Sequence, residues 1–139
     1  MWRPLSRAGK SERMPVQWTI DPEERFISVL GTGDVSRADI DRFLDAVVEN
    51  AALGYRKLFD ASQAMSSMTP ADMVDLGTRF RALHTGAVVG PLAVVMPPDR
   101  GKRLERLLGM IATADRPMRI FVDPTRARRW IADQVADAR

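Results

Sequence analysis

The residues of this chain best suited to chemistry fall in one stretch, Arg56 to Phe80, reading RKLFDASQAMSSMTPADMVDLGTRF. Asp60 is followed by the hydroxyls of Ser62, Ser66, Ser67 and Thr69, with Met65, Met68 and Met73 set among them. Hydroxyls and a carboxylate at the end of a short apolar run can recognise a partner by hydrogen bonding. Methionines are unbranched and polarisable, which makes them adaptable pocket liners, although at helical spacing they equally serve a core. Catalysis asks for more than this. A hydroxyl nucleophile needs a base beside it, and no nucleophile–base pair or metal-ligand set can be assembled from the sequence.

Composition narrows the chemistry further. The chain has no cysteine, so disulfides, thiolate catalysis and cysteine zinc sites are excluded. His84 is its one histidine, which excludes multi-histidine metal sites and leaves a histidine relay without support. No catalytic residue, metal or cofactor is expected. At 139 residues, 45% hydrophobic and 28% charged, the chain has the make-up of one ordinary globular domain. No apolar run approaches the roughly 20 residues of a membrane span. The first residues lack the apolar core of a secretory signal, so the expected compartment is the cytoplasm.

The net charge of +3 is unevenly placed. Arg3, Arg7, Lys10 and Arg13 against Glu12 supply all of it, so the rest of the chain is neutral in sum. Residues 16–98 lean acidic and residues 99–139 lean basic. A nucleic-acid surface would want a basic face interleaved with aromatics, and aromatics are only 6% here. Nucleic acid is therefore not an expected partner. Residues 1–14 show no periodicity and read as a disordered basic tail ahead of a domain over 15–139. Both Met1 and Met14 are open as the biological start.

The elements that must position the stretch are set by periodicity. Val16–Asp21 alternates apolar and polar residues, Asp21-Pro22-Glu23-Glu24 makes a turn, and Arg25–Gly31 returns as the second strand of a hairpin. Gly31 and Gly33 are expected to end it. Ser36, with Asp39 three residues on, opens a helix whose stripe is Ile40, Phe43, Leu44, Val47, Val48 and Ala51. Asp39, Asp41, Arg42, Asp45 and Glu49 are read as its solvated face, and Gly54 as its left-handed cap. Lys57–Ala61 is a third strand, followed by a polar turn. Thr69, Pro70 and Asp72 then form an N-cap, first position and capping partner for a second helix, with Met73, Leu76, Phe80 and Leu83 inward. Gly77 in that stripe is expected to permit close contact with the sheet. His84-Thr85-Gly86 closes the helix, where a histidine suits the negative end of the dipole. Leu92–Met96 is a continuous apolar run, the mark of an interior strand. A third helix is expected from about Asp99 to Ala114, a fifth strand at Met118–Val122, and a last helix capped by Asp123 that buries Ala127, Trp130, Ile131 and Val135. The fold class is α/β, ordered ββαβαβαβα. It is a single, mostly parallel five-stranded sheet with an antiparallel N-terminal strand and four helices.

The DPEERFISVLGTG turn and strand, the helix after Ser36, FDAS at the end of the third strand and the closing RIFVDPTRARRWI together resemble the STAS-like group, also described as SpoIIAA-like. It includes bacterial anti-sigma-factor antagonists and small uncharacterised relatives. The resemblance covers residues 16–135, and its most distinctive piece is the closing strand, Asp and helix with a Trp. It implies a non-enzymatic regulatory domain that binds a protein partner. In the antagonists an Asp-Ser-Ser-Gly motif after the third strand carries a serine phosphorylated by a partner kinase. Aligned from Asp60, that motif falls on Met68-Thr69-Pro70-Ala71. Thr69 alone keeps a hydroxyl there, with Ser66 and Ser67 just upstream. CRAL-TRIO lipid-binding domains share the fold but are larger.

Two functions from different classes thus stand side by side. One is a regulatory or protein-interaction domain using Asp60, Ser62, Ser66, Ser67 and Thr69 as interaction or phospho-acceptor residues. The other is a small-molecule or lipid-binding module with an apolar cleft lined by Met65, Met68 and Met73. A protein partner is expected, and a homo-oligomer is an open alternative.

Overall fold

A computed structural model of the chain describes residues 14–86, 89–97 and 117–135. β1 (Val16–Asp21) and β2 (Phe26–Asp34) form the expected antiparallel hairpin, with Val16 opposite Gly31 and Asp21 opposite Phe26. The Asp21 carboxylate accepts the Glu24 N–H at 3.2 Å, closing the turn. Arg25 leaves it at φ 52°, a left-handed conformation uncommon outside glycine. Its guanidinium lies 5.1 Å from the centre of the Tyr55 ring, a cation–π contact. The strand does not stop at its glycines. β2 runs on to Asp34, and Gly33 supplies the positive φ, 66°, that its last turn requires.

α1 (Arg37–Glu49) opens on a reciprocal cap: the Ser36 hydroxyl accepts the Asp39 N–H at 3.2 Å, and Asp39 accepts the Ser36 N–H at 2.8 Å. Phe43, Leu44 and Val47 are buried as expected, whereas Val48 is exposed. The C-terminal end corrects the expected cap. The left-handed residue is Ala51 (φ 53°) and not Gly54. The Ala51 N–H bonds to Val48 O at 3.0 Å and the Ala52 N–H to Val47 O at 2.9 Å, the paired bonds of a Schellman motif. Gly54 is buried for another reason. Gly90 donates to Leu53 O at 2.8 Å, and a Cβ on Gly90 would run into the Gly54 and Tyr55 carbonyl oxygens.

β3 (Arg56–Met65) is twice the length expected, because Gln63, Ala64 and Met65 continue to pair with β2. α2 (Pro70–Gly86) and β4 (Leu92–Val95) come next, then β5 (Met118–Phe121) and α3 (Pro124–Asp133). The sheet order is β1-β2-β3-β4-β5, with β2 to β5 parallel. Ala93, Val94 and Val95 are all buried, as a central strand covered on both faces requires. Three helices lie among the described residues. The helix expected over 99–114 and the tail before Met14 lie outside them.

The sheet divides two cores. On one face Ile27, Val29, Phe43, Leu44, Val47 and Val94 form the larger cluster, with Phe80 and Leu83 of α2 packed against it. On the other face α3 lays Ala127 and Ile131 on Leu58, Ala93 and Val95. Fully burying a side chain such as Ile131 stabilises the fold by about 1.5–3 kcal/mol. Trp130 is only half-buried, with its ring 5.9 Å from that of Phe121. Val135 is exposed beyond the end of the helix, which corrects its expected burial.

Candidate interaction site at the end of the third strand

The candidate stretch begins inside the sheet. Leu30 pairs with Asp60 but Thr32 pairs with Gln63, so β3 carries one residue more than β2 across this step. The extra residue is a β-bulge, which bends its strand and re-aims the residues beyond it. Asp60 holds it: its Oδ1 accepts the Ser62 N–H at 3.0 Å and the Ser62 hydroxyl at 2.6 Å. Asp60 and Ser62 are thus partners of each other within the sheet. They stand apart from the turn that carries Ser66, Ser67 and Thr69.

Beyond the bulge the ends of β2 and β3 are tied together. Val35 donates its N–H to Met65 O at 2.8 Å, and the Ser66 hydroxyl donates to Val35 O at 3.0 Å. Ser66 Oγ in turn accepts the Met68 N–H at 3.2 Å. The Asp34 carboxylate accepts the Ser67 N–H at 3.0 Å and the Ser67 hydroxyl at 3.0–3.1 Å. Sequence reasoning missed Asp34, because nothing local couples it to a serine 33 positions later. At the helix start the expected cap is present. Thr69 Oγ1 accepts the Asp72 N–H at 3.1 Å, and Asp72 accepts the Thr69 N–H at 3.0 Å.

A second layer of charge holds α2 against α1. Arg37 bonds Asp75 at 2.6 Å and lies 3.5 Å from Asp41. Arg79 bonds Asp41 at 2.8 Å and Asp45 at 2.7 Å. The face of α1 read as solvated is in part an interhelical contact. Burial by itself would lower the Arg79 pKa, but its bonds to Asp41 and Asp45 outweigh that and raise it above the usual value. Asp39, also assigned to the solvated face, is buried. Burial favours its neutral form. The Ser36 N–H and hydroxyl, and the Arg42 guanidinium 2.6 Å away, outweigh this and hold the carboxyl below its ordinary range. The signal for Asp39 was its place in the capping box.

The methionines do not share one environment. Met65 is 54% exposed, while Met68 and Met73 are half-buried. A groove of about 650 Å³ lies instead beside β5 and α3, lined by Arg119, Phe121, Arg126 and Trp130 among others. No described helix is long and apolar enough to cross a membrane. Among the described residues no group of three or more His, Cys, Asp or Glu is disposed to hold a metal ion. The His84 side chain lies outside the description, though its backbone is in the last turn of α2.

What the junction can do is present a fixed surface. Each of its hydroxyls is engaged in holding a neighbouring backbone group or carboxylate.

No family model and no curated sequence matches the chain. Its structure is similar to that of an uncharacterized protein of the DUF3478 family with a SpoIIAA-like fold from Shewanella loihica PV-4. The TM-score is 0.56 over 84% of this chain and 93% of that one, at 15% identity. The fold is therefore SpoIIAA-like, as the sequence resemblance implied.

Proposed function

We propose that this chain is a non-enzymatic regulatory or protein-interaction domain that meets its partner through the loop after β3 and the start of α2. The observation that supports this reading is the junction's combination of exposure and internal bonding. Ser66, Ser67 and Thr69 are exposed, yet every one of their hydroxyls is engaged within the junction. A surface already ordered before it binds loses little conformational entropy when it does. Met65 and Val74, 54% and 56% exposed, give that surface apolar contact area. Ser66, Ser67 and Thr69 are also the hydroxyls on which a partner kinase would act, with Thr69 at the positive end of α2 where a phosphate is tolerated.

The test pairs two measurements. Affinity capture with the wild type and with Met65→Asp/Val74→Asp asks whether a partner depends on this surface. Native mass spectrometry of the purified chain asks whether a small apolar molecule is retained. Loss of a specific partner in the double variant, at unchanged melting midpoint, supports the interaction reading. A stoichiometric retained lipid, with capture unaffected by the substitutions, would replace it with the ligand-binding alternative.

A further inference from the structure

The far edge of the sheet carries a second surface, separate from the junction. β5 is the last of the five strands and is paired on one side with β4. The groove beside it, about 650 Å³, is lined by Arg119 of β5 and by Arg126 and Arg129 of α3. All three guanidiniums are exposed. Among the described residues none of them has an ion pair or hydrogen bond. Arg119 lies over the Phe121 ring at 5.3 Å. Arg37, Arg42 and Arg79, by contrast, each hold a carboxylate of the fold at 2.8 Å or less. Of the two carboxylates in the groove, Asp123 is committed to capping α3 through the Thr125 N–H at 2.9 Å.

We infer that this edge receives an extended acidic peptide segment of a partner protein, added to the sheet alongside β5. Its carboxylates face Arg119, Arg126 and Arg129 on the side of the sheet that carries α3, and the side chains between them point to the other side. Strand addition at a sheet edge draws affinity from main-chain hydrogen bonds and specificity from the side chains that alternate beside them. Both parts are present here: an outer strand, and a groove whose uncommitted charge is predominantly positive. A nucleic acid fits less well. Asp123 and Asp133 would repel a uniformly anionic backbone. Phe121 and Trp130 pack against each other at 49°, and Arg119 already covers Phe121, so these rings are engaged with the fold and do not form a row of stacking platforms.

The probe is a labelled eight-residue peptide alternating Glu and Val, titrated against the full chain by fluorescence anisotropy. The expected result is saturable binding, at least tenfold tighter than for a Lys and Val peptide of the same length. Arg126→Glu/Arg129→Glu, both at exposed positions, should weaken it at least tenfold with an unchanged melting midpoint. Methylating alternate backbone nitrogens of the peptide should abolish binding on one alternation and spare it on the other, as strand pairing requires. The inference is overturned by absence of binding, by equal binding of the Lys peptide, or by insensitivity to the charge reversals. It is also overturned if an octauridylate binds more tightly, or if self-association of the chain accounts for the signal. Met65→Asp/Val74→Asp should leave the titration unchanged, so this surface stands or falls separately from the junction.

Discussion

Arg79 of α2 reaches Asp41 of α1 twice, donating to its carboxylate at 2.8 Å and to its backbone carbonyl at 3.2 Å. The same guanidinium bonds Asp45 one turn further on, so a single residue fastens α2 to two turns of α1. Because Arg79 is 28% exposed and Asp45 57%, solvent weakens these pairs, and they do not carry the value of buried ones. Arg79→Leu is expected to cost about 1–2 kcal/mol in denaturant melts. The difference from wild type should narrow in 1 M salt, where the screening length falls to about 3 Å. A loss below a few tenths of a kcal/mol at low salt would show that Arg79 adds nothing to the hold that Arg37 and the apolar face of α2 already provide.

Asp39 makes the fold sensitive to acid in a defined direction. Its carboxyl pKa is lowered on folding, so the unfolded chain binds the proton more readily. The stability it contributes is complete above the ordinary carboxylate pKa of 3.8 and is lost as pH falls below that, through the lowered folded value. Asp39→Asn should therefore lower the melting midpoint at pH 7, by the equivalent of about 1 kcal/mol for a weakened cap. The gap between wild type and variant should close towards pH 2. A gap independent of pH would mean that Asp39 acts through packing and not through charge.

The hairpin, the parallel strands, the N-terminal caps of α1 and α2 and the buried β4 were legible because each is written within a few adjacent residues. Ser36 with Asp39, and Thr69 with Asp72, are local signals, and the structure keeps both. What was not legible depends on partners distant in sequence. Ser62 to Met65 look like a loop by composition, yet β2 holds them as strand, and the Asp60 clip supplies the bulge that lets them pair. Asp34 with Ser67 and Arg79 with Asp41 join positions whose proximity only the crossover connections create. The cap at Ala51 was missed because alanine stands where glycine is usual.

Gly90 and Gly33 make opposite demands, and one substitution at each separates them. At Gly90 a methyl group would meet the Gly54 and Tyr55 carbonyl oxygens, backbone atoms that cannot swing aside. Gly90→Ala is expected to cost about 3 kcal/mol or more, within the range of an overpacked core. At Gly33 nothing lies within 4 Å of the added carbon, and the penalty is the left-handed φ of 66°. Gly33→Ala should cost about 1 kcal/mol, and Gly33→Asn less, since asparagine tolerates that conformation. Equal losses at the two positions in urea melts would contradict the close approach at Gly90.

Thr69 is both the cap of α2 and the hydroxyl closest to the aligned phospho-acceptor, and the two roles make different demands on the same oxygen. As a cap, Oγ1 must remain free to accept the Asp72 N–H, which it does at 3.1 Å. Thr69→Ala should then cost about 1 kcal/mol, and Thr69→Ser, which keeps the oxygen, should be nearly silent. As an acceptor, Thr69 would exchange that neutral hydroxyl for about two negative charges at the helix N-terminus. The dipole tolerates them there, but Asp72, whose carboxylate accepts the Thr69 N–H at 3.0 Å, would repel them. Phosphorylation should therefore loosen the Asp72 half of the cap while changing the surface a partner reads. Thr69→Glu, compared with Thr69→Ala at matched stability, isolates the charge from the lost cap. If the two variants capture the same partner with equal affinity, the charge is not read and Thr69 serves α2 alone. If Thr69→Glu alone releases the partner, the same oxygen that starts the helix also governs the interaction.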